Sequence, residues 1–261
     1  MRIQAAGRDV AYDDTGGGGV PLVLVHGFPM DRRIWAAQAS ALAGVARLIA
    51  PDLRGFGETP GAGAAATMDD YADDVLALLD ALGLRTAVVG GVSMGGYVAM
   101  ALHRRAPDRV RALVLVDTRG GPDSAEGRSA RDAMIAMARE KGAGAVAQQM
   151  IGRLVTPGFD AQRRKALTDL MAAQSVDGIA AGLAAIRDRP DSRPGVARVA
   201  VPTLVVCGAE DVITPPAESE ALHAAIPGSR LVLVPGAGHL PNMERPREFN
   251  KALRGFVAEL G

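Results

Sequence analysis

Six short, almost wholly apolar runs, separated by helix-patterned stretches, restrict the folds open to this chain more than any other feature. They are Val20–His26 (VPLVLVH), Ala46–Pro51 (ARLIAP), Ala87–Gly90 (AVVG), Val110–Val116 (VRALVLV), Val201–Cys207 (VPTLVVC) and Arg230–Val234 (RLVLV). A strand with one wet face alternates apolar and polar residues. A continuous apolar run is instead buried on both faces, as in a parallel sheet covered by helices. Between the runs, Met68–Leu82 places Tyr71, Val75, Leu78, Leu79 and Leu82 on one helical stripe, and Gly83 supplies a stop. The alternation predicts an α/β fold with a mainly parallel sheet flanked by helices. The opening residues, RIQAAGRDVAYDD, read as a small hairpin at the sheet edge.

The alternation lapses between about residues 120 and 200, which carry helical patterns, much Ala and Met, and no convincing strand. Connections within an α/β unit usually take two to six residues, so this segment reads as a helical cap inserted into the core. The expected division is a core of residues 1–119 and 200–261 with a cap at 120–199. Met134, Ile135, Met137, Val146, Met150, Ile151 and Leu154 punctuate its helical run from Ala130 to Leu154.

Charge narrows the partners. Lys plus Arg and Asp plus Glu both number 29, so no net basic field favours nucleic acid or an anionic membrane. The N-terminus lacks the basic and apolar regions of a signal peptide, and no apolar run reaches the roughly 20 residues that span a bilayer. The single cysteine, Cys207, has no partner for an internal disulfide and reads as a small buried hydrophobe. A soluble cytoplasmic protein acting on a small molecule is expected.

Chemistry concentrates around Ser93. Gly91-Val92-Ser93-Met94-Gly95 fits G-x-S-x-G, a pattern that glycine-rich chains produce easily by chance. Its position is more specific, because the AVVG run turns there directly into the helical YVAMALHRRA. A serine at such a sharp strand-to-helix turn is a candidate nucleophile. It needs a base. Of four histidines, His103 and His223 lie in helical stretches, and His26 ends the first core run, placed to shape the loop that follows. His239 lies in the loop PGAGHLPNMERP after the last run, near the strand ends where open α/β sheets bind ligands. An acid must orient that base. Asp211, in GAEDVITP, is favoured over Asp117 by the order Ser, Asp, His; Glu210 is expected to point away and Asp52 to order a turn. Backbone amides of Met94 and of Phe28, in HGFPMD, are the expected oxyanion donors. Gly61–Ala66 (GAGAAA) and Gly16–Gly19 lack the context of nucleotide-binding loops. No His/Cys/Asp cluster has metal-ligand spacing, so neither cofactor nor metal is expected.

HGFPMD, PDLRGFGE, GGVSMGG, GAEDVITP and GAGHLPNMERP, in that order, resemble the α/β-hydrolase fold superfamily from about residue 8 to 258. The resemblance implies an eight-stranded, mainly parallel sheet, a Ser93–Asp211–His239 triad, and an oxyanion hole from Phe28 and Met94. It implies a carboxylic ester hydrolase acting on small esters or lactones. Serine at the elbow separates the chain from haloalkane dehalogenases and epoxide hydrolases, whose nucleophile is aspartate. DDVLALLDALGL and RRAPDRVRALVLVDT resemble 3-oxoadipate enol-lactonases and small carboxylesterases, and S-M-G-G resembles cofactor-free haloperoxidases, which perhydrolyse carboxylates. A ligand-binding protein with negligible turnover is the remote alternative.

Overall fold

The computed structural model describes residues 1–61 and 66–261. Most of the Gly61–Ala66 stretch therefore lies outside the described residues. Eight strands form one sheet: β1 (Arg2–Ala5), β2 (Arg8–Asp14), β3 (Val20–Val25), β4 (Ala46–Pro51), β5 (Ala87–Val92), β6 (Val110–Val116), β7 (Thr203–Gly208) and β8 (Arg230–Val234). Their order is β1-β2-β4-β3-β5-β6-β7-β8. The β1–β2 and β2–β4 pairs are antiparallel and all others parallel. The six apolar runs supply the six parallel strands, and the N-terminal hairpin takes the edge.

Two boundaries move for local reasons. Strand β7 starts after Pro202, which has no N–H to give to the ladder. Strand β5 runs on through Gly91 and Val92, opposite Leu115 and Val116. Glycine at position 90 permits that approach, since a Cβ there would stand 2.5 Å from the Val114 carbonyl oxygen.

Helices cover both faces: α1 (Ala36–Ala41), α2 (Met68–Ala81) and α3 (Met94–Arg105), then, after the insertion, α9 (Pro216–Ala225), α10 (Pro241–Glu244) and α11 (Pro246–Ala258). Helix α2 begins with a capping box in which Thr67 and Asp70 satisfy each other's amides. It ends at Gly83 (φ 67°), beyond which Leu84 N–H bonds Leu79 O at 2.9 Å. Between β6 and β7 the described chain is helical: α4 (Ala125–Lys141), α5 (Ala143–Leu154), α6 (Ala161–Ala172), α7 (Val176–Arg187) and α8 (Arg193–Val196). The run expected as one helical stretch breaks at Gly142, whose φ of 77° turns the chain between α4 and α5.

This insertion rests on the core at defined points. Ser175 Oγ donates to Gly55 O (3.1 Å), Gly57 N–H to Gln174 Oε1 (2.8 Å), and Gln174 Nε2 to Asp31 (3.0 Å). Helix α7 then approaches the loop after β4 so closely that a Cβ on Gly178 would lie 1.9 Å from Gly55 O. One turn on, a Cβ on Gly182 would lie 2.8 Å from Phe56 and 3.1 Å from Phe28.

Candidate active site

Ser93 occupies the single residue between β5 and α3. Its backbone (φ 55°, ψ −112°) lies where non-glycine residues are uncommon, a strain of roughly 1–3 kcal/mol. Hydrogen bonds on both of its main-chain polar groups hold it there. Ser93 N–H donates to Val116 O (2.9 Å), and Ser93 O accepts from Gly96 N–H (3.0 Å) and Thr118 Oγ1 (2.9 Å). The flanking glycines give clearance: a Cβ on Gly91 would stand 2.6 Å from Val25 O, and one on Gly95 2.2 Å from the same oxygen. The bend can form only where both positions lack side chains. It leaves Ser93 partly exposed at the N-terminus of α3, where the helix dipole favours negative charge.

The Met94 and Phe28 amides meet the first requirement for oxyanion donors. Among the described residues neither donates to another protein group. Both residues are otherwise buried, and the Phe28 ring packs edge-on against Phe56 at 6.1 Å. His26 pins this loop. Its Nδ1 lies 2.9 Å from Gly27 O while its Nε2 accepts from Leu53 N–H at 3.0 Å. Those partners require the neutral Nδ1–H tautomer. Burial depresses its pKa against the opposing charge of Asp52, so the ring stays neutral.

Across the strand ends, His239 and Asp211 are paired. Nδ1 of His239 lies 2.7 Å from Asp211 Oδ2, and both residues are buried. A carboxylate only accepts, so Nδ1 carries a proton, and in the neutral ring Nε2 is then the atom with the free lone pair. Asp211 also accepts at Oδ1 from Ile213 N–H (2.7 Å) and Thr214 N–H (3.2 Å), and at Oδ2 from Thr214 Oγ1 (2.7 Å). Burial pushes its carboxyl pKa up, but the His239 and Thr214 contacts outweigh burial and hold it below the ordinary range. Among the described residues no hydrogen bond joins Ser93 to His239; such contacts often tighten only once substrate is bound. Thr214, three residues past the acid, is a site residue that sequence reasoning passed over; the D-x-x-T spacing was its only local sign.

Asp117 sits beside Asp211 rather than in its place. Its Oδ1 accepts from Gly208 N–H at 2.9 Å, and Oδ2 has no hydrogen-bond partner among the described residues. One oxygen of each carboxyl and Cys207 Sγ all lie within 4.8 Å of one another. Sequence spacing could not show this trio, because its members end neighbouring strands β6 and β7. Three donors at such distances could in principle hold a metal ion. Their chemistry opposes it, because burial and the neighbouring carboxyls push the Cys207 thiol pKa up, and both Asp211 oxygens are engaged. Burial, followed by the charge of Asp211, raises the Asp117 pKa well above its ordinary 3.8.

That proton has a measurable consequence. Unfolded, Asp117 ionises near 3.8; folded, it keeps its proton to higher pH, so unfolding releases it. The folded state therefore loses stability as pH rises above the ordinary value, by up to about 1.4 kcal/mol per pH unit. Asparagine cannot ionise. Asp117→Asn is expected to gain Tm relative to the native protein as pH is raised from about 4 to about 7.5. Thermal unfolding across that range checks it, and a constant Tm difference would contradict a protonated Asp117.

Other residues have structural roles here. Asp52 orders its turn, accepting from Arg32 N–H and Glu58 N–H, each at 2.8 Å. Glu210 is exposed, and His223 pairs with Ser229 at the surface. Arginines that might have met an anionic substrate already face carboxylates: Arg32 meets Asp52, Arg33 Asp31, and Arg119 and Arg131 Asp123.

Known proteins share this fold. An esterase from Thermogutta terrifontis, solved with malate bound, superposes with a TM-score of 0.95 at 39% identity, covering all of this chain and 98% of its own. The enol-lactonase of Burkholderia xenovorans LB400 gives a TM-score of 0.92 at 29% identity over 98% and 99% of the two chains. A dihydrolipoyllysine-residue acetyltransferase component of the acetoin cleaving system from Pseudomonas putida is 32% identical over 98% of this chain, which spans 69% of that longer protein. The α/β-hydrolase fold profile matches residues 20–246. With that match running from β3 to the first residue of α11, the chain belongs to the α/β-hydrolase fold family.

Proposed function

We propose that this protein is a serine hydrolase that cleaves small carboxylic esters or lactones through an acyl-enzyme, with residues 120–199 as a cap over the site. The observation that carries the reading is the buried His239–Asp211 pair, at 2.7 Å, on the same strand ends as the strained Ser93 elbow. In this scheme His239 Nε2 takes the Ser93 hydroxyl proton as Oγ attacks the carbonyl carbon. Amides of Met94 and Phe28 receive the charge that develops on the carbonyl oxygen. His239 then gives its proton to the leaving alcohol, which departs as the acyl–Ser93 ester forms. Water, deprotonated by the same imidazole, cleaves that ester and frees the acid. The scheme uses no cofactor or metal.

The engaged arginines support an uncharged ester or lactone over a dicarboxylate enol-lactone, and the apolar Ala- and Met-rich cap suits a short-to-medium acyl group. Among the described residues no helix is long and apolar enough to cross a membrane; a cytoplasmic location belongs to this proposal. A panel of p-nitrophenyl esters and simple lactones tests it. Turnover of short-chain members is expected, and turnover of neither class would overturn the reading.

A further inference from the structure

The loop that carries His239 is bound to the cap by one buried carboxylate. Glu244, at the end of α10, reaches back so that Oε1 accepts from Gly238 N–H, the residue before His239, at 2.7 Å. Its Oε2 accepts from both Thr156 N–H (2.8 Å) and Thr156 Oγ1 (2.7 Å), two residues past the end of α5. The partners Thr156 and Glu244 are 88 positions apart in the chain. Glu244 is only 8% exposed, so these bonds have little competition from water.

Further contacts strengthen the seam. His239 N–H donates to Leu154 O at 3.1 Å. The Arg163 guanidinium of α6 donates to Met243 O, and Arg164 Nη2 to Thr156 O at 2.5 Å. A side chain at Gly238 would crowd the bridge, with Glu244 Oε1 3.2 Å from where its Cβ would lie. On its other side α10 is docked to the core through Asn242, whose Nδ2 donates to Ile34 O at 2.9 Å. The α10 turn is thus hydrogen-bonded to the core through both the side chain and the main-chain oxygen of Asn242, which accepts from Gln38 Nε2, and to the cap through Glu244 and Met243, and the base hangs between them. Leu154 and Val155, which lead into Thr156, are themselves buried.

We infer that Glu244 is a positioning residue that sets the His239 imidazole by joining its loop to the α5–α6 junction of the cap, so that cap placement and base placement are one arrangement. This rests on His239 being the base, as proposed above. Displacing a reacting group by about 1 Å can cost on the order of 100-fold in rate. A cap shifted by a poorly fitting substrate would therefore lower turnover even where binding persists.

The test uses Glu244→Gln and Thr156→Val in the full chain. Glutamine sets an N–H₂ against either the Gly238 amide or the Thr156 donors, so one arm of the bridge opens; valine removes only the hydroxyl bond on the cap side. For a short p-nitrophenyl ester, Glu244→Gln is expected to lower kcat about 10- to 100-fold with KM within about threefold. Thr156→Val should lower kcat about three- to tenfold, yet less than twofold in the Glu244→Gln background, because both act through one bridge. A second readout needs no turnover. The chain has four histidines, so its Hε1 proton spectrum is short, and the His239 resonance should move by more than its linewidth in both variants while the other three hold. An unmoved His239 resonance, a folded Glu244→Gln variant with native kcat, or fully additive losses would each overturn the inference. If the native protein turns over no ester, the proposed function falls, and the spectra still decide whether Glu244 positions His239.

Discussion

Ser93→Ala is expected to lower kcat for p-nitrophenyl ester hydrolysis by roughly 10⁴- to 10⁶-fold, with KM within about threefold. Removing the hydroxyl deletes the atom that would carry the acyl group, while the Met94 and Phe28 amides and the pocket walls stay. Residual activity would then reflect oxyanion stabilisation and positioning alone. The backbone strain at Ser93 belongs to the turn, between Gly91 and Gly95, and alanine should retain it because it too has a Cβ. The variant is therefore expected to fold with a Tm near the native value. Loss of structure would mean that the hydroxyl, not the backbone, holds the elbow.

The second large effect separates two carboxyls. Asp211→Asn is expected to lower kcat on the order of 10⁴-fold, whereas Asp117→Asn should stay within about tenfold of native. Asparagine at 211 can still accept from the Ile213 and Thr214 amides. Its N–H₂, however, can turn toward His239 Nδ1 and favour the tautomer with the proton on Nε2, which cannot act as base. Burial favours the neutral form of Asp117, and an amide fills the same volume and can still accept from Gly208 N–H. Equal losses would show that the two carboxyls work as one titrating unit. The reverse ranking would move the triad acid to Asp117.

Much of the fold was legible because burial on both faces writes itself into composition: all six runs read as strands are strands. Edges were less legible. Pro202 delayed β7, and Gly90 let β5 run on beside β6, effects that depend on which strand lies alongside. Within the candidate site, Ser93, Asp211 and His239 stand out in the sequence because each follows a strand in a turn-rich motif. Glu244 was not, since its meaning comes from Thr156, 88 positions away. Gly178 and Gly182 likewise take their meaning from α7 meeting Gly55 and Phe56. The proximity of Asp117, Cys207 and Asp211 follows from β6 lying beside β7, an order no local pattern announces.

The central claim is that Ser93 is the nucleophile, and covalent capture tests it most directly. A p-nitrophenyl phosphonate ester, incubated with the native protein, should release p-nitrophenolate once per chain. Peptide mass mapping should then find one phosphonyl group on Ser93, absent in Ser93→Ala and much slower to form in Asp211→Asn. An enzyme that hydrolyses esters yet takes the phosphonyl group elsewhere, or not at all, would contradict the account.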